Sequence, residues 1–131
     1  MRGLRYTLVI VGVFQLVLGA VFLVAPGFAA GLFGLRPAAP PWAAWLFAMM
    51  AARFLGYAYG MFLAARDPAR HVAWINTMIV IQAVDWIATL AWLAAGELTL
   101  RQVSTASFMP ILFIAAMLWW HPRRVGAPAA A

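Results

Sequence analysis

The sequence predicts an all-α integral membrane protein: a bundle of four transmembrane helices with both termini on the cytoplasmic side. Three observations carry this reading. Hydrophobic residues make up 67% of the 131, charged residues only 9%, and the mean hydropathy is +0.95. A soluble domain of this size carries about 25% charged residues and needs them to cover its surface. The apolar residues fall into four runs, near 6–25, 42–65, 72–95 and 103–120. Each is close to the ~20 residues that a helix needs to cross a hydrocarbon core of about 30 Å. The third observation is the placement of arginine. With the N-terminus inside, the inner side holds Arg2, Arg5, Arg66, Arg70, Arg123 and Arg124, and the outer side holds only Arg36 and Arg101. This is the positive-inside pattern, and it suits a bacterial inner membrane. It also explains the net charge of +6 better than a nucleic-acid partner does, because the arginines sit at the ends of apolar runs and not on one basic face.

The elements follow in order within a single domain, residues 1–124. Tyr6 to Ala25 has only Thr7 and Gln15 as polar interruptions, and Pro26-Gly27 ends it. A basic start before an apolar run also describes a signal peptide. This run is long for one, and Pro26 is awkward at a cleavage site, so an uncleaved helix is the better reading. Phe28 to Leu35 is too short to span and is read as interfacial or as an extension of the first helix. Arg36 to Pro41 is a proline-rich loop. The second span opens on Trp42 and Trp45, which suit the headgroup level. Arg66 to His71 is a tight charged turn, with Asp67 near the next helix cap and Pro68 in its first turn.

Gly96 to Gln102 is a second short loop, where Glu97 and Arg101 suit a weak surface pair. The fourth span carries Ser104, Thr105 and Ser107 at its start and a kink at Pro110. It ends on the anchors Trp119 and Trp120. The tail, 125–131, is expected to be disordered.

Two ionisable residues interrupt the spans and need a reason. Arg53 and Asp85 each lie roughly 15 Å from the outer end of their helices. At that depth an unpaired charge costs about 2.5–3.5 kcal/mol on insertion scales. Adjacent antiparallel helices would bring the two level, where a guanidinium and a carboxylate pair bidentately. Gln15 shares that depth and has Gly12 and Gly19 on its face. Gln82 and Thr89 flank Asp85 by one turn each, and Met78 and Trp92 extend the stripe. Met49, Gly56, Tyr57 and Gly60 share the face of Arg53. The Gly56–Gly60 spacing permits close helix contact, and Gly56 leaves room beside the arginine. Trp86 adjoins Asp85 and suits a pocket wall. Three readings of the cluster stay open: a polar clamp that sets helix register, a small-molecule site, and a contact with a partner subunit.

Other chemistry is sparse. The absence of cysteine removes disulfides, thiol redox chemistry and thiolate metal sites. His71 and His121 fall at inner helix ends and are read as solvated interfacial residues. Asn76 and Thr77 are read as helix–helix hydrogen bonders. Phosphate-binding loops, dinucleotide glycine patterns, nucleophile elbows and His-Glu-x-x-His motifs are all missing.

Gly19 to Gly27 (GAVFLVAPG), Ala51 to Gly60 (AARFLGYAYG), the Ala-Ala-Arg-Asp-Pro hinge and the mid-helix Asp85 together resemble DoxX-like small four-helix membrane proteins. That resemblance implies the four-helix fold. It also implies a role such as that of its quinone-linked oxidoreductase subunits or its accessory and assembly factors, the redox members relying on partner chains.

Small size and little extramembrane mass point first to a non-catalytic membrane subunit or accessory protein, packed against a larger complex or against itself. The second reading is a quinone- or lipid-binding protein using Arg53, Asp85, Gln15, Gln82, Trp86 and Tyr57. Ion or proton transport ranks lower, since one charge couple is little for a pathway.

Overall fold

The computed structural model describes residues 2–32, 40 and 42–125; the side chains of 104–107, 124 and 125 lie outside that description. The described residues are helical and contain no strand. Helix α1 spans Arg2–Val24, α2 Pro26–Leu32, α3 Trp42–Arg66, α4 Val72–Ala94, α5 Leu100–Trp119 and α6 Pro122–Val125. Four of these, α1, α3, α4 and α5, are long and apolar enough to cross a membrane, as a multi-pass membrane protein requires. The proline-rich loop lies mostly outside the described residues, as does the tail beyond Val125.

Local chemistry sets each boundary. Ala25 continues α1 by donating its N–H to Val21 O, and Pro26, which has no N–H to lose, opens α2. Residues 26–32 thus form a separate short helix and do not extend the first. After α3, the Asp67 carboxylate accepts the Arg70 N–H at 3.2 Å, and His71 N–H reaches Asp67 O. Asp67 therefore caps the turn, while His71 holds the N-cap position of α4.

The end of α4 is a Schellman motif. Gly96 takes φ +77°, Glu97 N–H reaches Trp92 O and Gly96 N–H reaches Leu93 O. Helix α5 then starts earlier than the apolar pattern suggests. Gln102 Oε1 accepts both the Thr99 N–H and the Thr99 hydroxyl at 2.9 Å, so Thr99-x-x-Gln102 is a helix start and not loop. The backbone break in α5 falls at Val103 (φ −122°, ψ 24°), not at Pro110. Glu97 and Arg101 form no ion pair; there is no salt bridge among the described residues.

Helix α1 makes its closest contact with α3, and glycine allows it. A Cβ on Gly12 would fall 2.9 Å from the Phe62 ring, and one on Gly19 would fall 2.9 Å from Leu55. In lipid, where apolar surface supplies no drive between helices, such close approach is what dispersion forces require. The main core joins all four long helices at one end of the bundle. It contains Leu4, Leu8 and Val11 of α1, Met61 and Ala64 of α3, Ile75 and Met78 of α4, and Phe113 and Met117 of α5. Gly3 also lies against Trp120, so the start of α1 and the end of α5 share this end. We call it the terminal end.

The opposite, far end is built differently. Its core is Phe22, Ala29 and Ala51, with Phe47 and Phe54 packed edge-on against Phe22. These residues come from α1, α2 and α3 alone. The far half of α4 stays exposed along Val84, Ile87, Leu90 and Trp92. Thus α4 joins α1 and α3 at the terminal end, and its far half lies outside the far-end core. Exposed Trp42, Trp45 and Trp92 mark the far end, and Trp119 and Trp120 mark the terminal end, as two interfacial belts would.

The α3–α4 contact depends on Gly60, which the Trp74 indole overlies so closely that a Cβ would enter the ring. Gly56 is exposed with nothing within 4 Å of its Cβ position, so only one glycine of the pair makes a helix contact. Gly60→Ala should lower stability by about 1–3 kcal/mol through overpacking. Gly56→Ala should leave stability unchanged or raise it slightly. Thermal unfolding in detergent, followed by tryptophan fluorescence, checks both; equal effects would refute the assignment of the contact to Gly60.

Candidate functional site

The six residues singled out from the sequence separate into two groups. Gln15 and Gln82 come together in the interior, at 4% and 6% exposure. Both amides reach the same thioether: Gln15 Nε2 lies 3.8 Å from Met78 Sδ and Gln82 Nε2 3.7 Å from it. Sulfur is a weak acceptor, so this node joins α1 to α4 through soft contacts. The buried Gln15 Oε1 has no hydrogen-bond partner among the described residues. Tyr57 is half-buried against the same core, and Trp86 is half-buried on α4.

Arg53 and Asp85 do not come together. Both are exposed, and no salt bridge joins them. The expected polar clamp is therefore absent within one copy of the chain. Helix register supplies the reason. Arg53 lies about two turns from Gly60 on nearly the same azimuth of α3. Asp85 lies about three turns from Trp74 on nearly the same azimuth of α4. The Gly60–Trp74 contact therefore aims both residues into the cleft between α3 and α4 but leaves Asp85 roughly 6 Å nearer the far end. At that height the two helices have already separated. Above Gly60 the α3 face carries Tyr57, Arg53 and Met49 around Gly56, and these larger side chains do not permit close approach.

Arg53 borders a shallow open groove with Met49 and Ala52. The stripe of α4 changes character along its length: Met78 and Gln82 are buried, whereas Asp85 and Trp92 are exposed. The Thr89 hydroxyl donates to Asp85 O at 2.7 Å, which occupies it within its own helix. Arg53 on α3 and Asp85 on α4 are thus exposed on stripes that face each other, while the glutamine amides are buried at Met78. No family model, curated protein or solved structure matches the chain. What the cleft can do rests on its own side chains. It can meet a charge of either sign on a partner at mid-depth, and the unsatisfied Gln15 carbonyl lies buried in the interior nearby.

The histidine reading changes too. His121 is buried at 8% exposure, and its Nε2 lies 2.9 Å from Asn76 Oδ1. Its Nδ1 accepts the Arg123 N–H at 3.3 Å. These partners fit a neutral ring with the proton on Nε2. His121 is thus a structural link between α4 and the end of α5, not a solvated interfacial group. Asn76 is the expected interhelix bonder, while Thr77 is exposed and makes no such bond among the described residues. Nothing in the sequence announces a contact between residues so far apart in the chain.

Two predictions follow from these buried polar groups. Gln15→Met replaces an unsatisfied carbonyl by a flexible apolar chain, so stability should hold or rise by up to about 1–3 kcal/mol. A clear loss in a detergent melt would mean that Oε1 is satisfied in the membrane. Asn76→Leu leaves buried His121 without its acceptor and should cost about 1–3 kcal/mol in the same melt; a silent substitution would deny the link.

Proposed function

We propose that this protein is a small non-catalytic membrane subunit or accessory protein that works by assembly. The observation that supports this is the pair of opposite charges, Arg53 and Asp85, exposed and unjoined partway along apolar helices. In hydrocarbon each charge costs about 2.5–3.5 kcal/mol on insertion scales. A protein partner that covers the α3–α4 cleft would remove much of that cost by pairing both. The reading carries with it the orientation with termini inside and a bacterial inner membrane, on the arginine asymmetry. Membership of the DoxX-like group rests on the short sequence motifs. Ion or proton transport remains the weakest reading, because the two charges form no continuous path.

A second reading has its own observation. The unsatisfied Gln15 Oε1, with Gln82 beside it, suits the hydroxyl of an amphipathic molecule such as a reduced quinone or a lipid headgroup lodged in the cleft.

Native mass spectrometry on the protein released gently from its own membrane separates the two. Assembly predicts a stoichiometric protein partner that Asp85→Asn weakens by about tenfold or more. A monomer with a bound quinone or lipid, lost in Asp85→Asn, would replace assembly by ligand binding.

A further inference from the structure

We infer that the partner in the α3–α4 cleft is a second copy of this chain, and that Arg53 of each copy pairs with Asp85 of the other. The inference rests on the assembly reading above and names its partner. One chain supplies both halves of the interaction: a cation on the α3 wall and an anion on the α4 wall of the same cleft. Neither forms a salt bridge among the described residues. A surface that carries both signs is self-complementary, which is what a two-fold interface requires.

The depths agree. Two copies inserted in the same orientation are related by an axis parallel to the helices, and such an axis preserves depth. Asp85 of the second copy therefore lies roughly 6 Å farther toward the far end than Arg53 of the first. An arginine side chain on a helix leans toward that helix's N-terminus. For α3 that is the far end, where Asp85 lies. Within one copy the obstacle is lateral: the helices have separated. A second α4, entering with its exposed far half, closes that lateral gap without changing depth. The face it presents carries exposed Ala88 and Trp92 on the same side as Asp85, so the charges would pair in a water-poor seam. Two-fold symmetry forms the pair twice.

Charge reversal tests this directly. Two differently tagged versions of the full chain are co-expressed in the membrane and captured through one tag. Wild type should capture wild type. Arg53→Asp captured with Arg53→Asp, or Asp85→Arg with Asp85→Arg, should fall by about tenfold or more, because like charges meet in both pairs. Mixing the Arg53→Asp chain with the Asp85→Arg chain restores opposite charges in both intermolecular pairs. Capture should return to within about threefold of wild type. Arg53→Gln and Asp85→Asn serve if a reversal does not insert; each should weaken self-capture, by less than a reversal does.

Failure of the mixed pair to recover, with both chains present in the membrane, overturns the reciprocal pairing. Capture of a different protein in an Arg53- and Asp85-dependent manner overturns the second copy but leaves assembly standing. A monomer that captures nothing overturns both.

Discussion

The Trp74 ring lying on Gly60 is the contact on which the rest of this structure depends. It brings α3 and α4 together at Gly60, where α3 has no side chain. It also fixes their azimuths, so the stripes above it face each other across a cleft. Because the larger Tyr57 and Arg53 follow on the α3 face, the contact cannot be repeated farther up. The same indole therefore joins the helices and determines where they part. The polar node at Met78 lies near the point of parting, buried below it, and the two charges lie exposed above it.

A membrane bundle has to choose its packing without a hydrophobic force between helices. This chain does so in two ways. On the α1–α3 side, Gly12 and Gly19 let the backbones close on Phe62 and Leu55, and dispersion does the rest. On the α4 side polar links add to the apolar core: a histidine to an asparagine, and a Gln15 amide to the Met78 thioether. In lipid the alternative to such links is an unpaired polar group in hydrocarbon, and that favours them. Their geometry is specific enough to set register.

Much of the fold was legible because the spans are long and the breaks are strong. Apolar runs of membrane length, Pro26, the Asp67-Pro68 turn and Gly96 placed four long helices within a few residues of their observed ends. The start of α5 was missed although its signal was present: Thr99-x-x-Gln102 is a capping box, and the short apolar count around it hid it. The site was half legible. Gln15 and Gln82 do share a depth and a contact. Arg53 and Asp85 share a cleft but no bond, because counting residues from the loops assumes helices that stay together. A glycine–tryptophan contact shifted the register by about one turn, and divergence did the rest. His121 on Asn76 could not be read at all, since no local pattern links residues on different helices.

The compact joint between α4 and α5 has a mechanical meaning. The Schellman turn at Gly96 and the capping box at Thr99 leave few free torsions between the two helices. They form a tight hairpin whose α4 arm is fastened to the remainder chiefly at the terminal end. Such a hairpin is a lever with its fulcrum near Trp74. A tilt of about 10° there would sweep the tip of α4 by roughly 5 Å over the length of the helix.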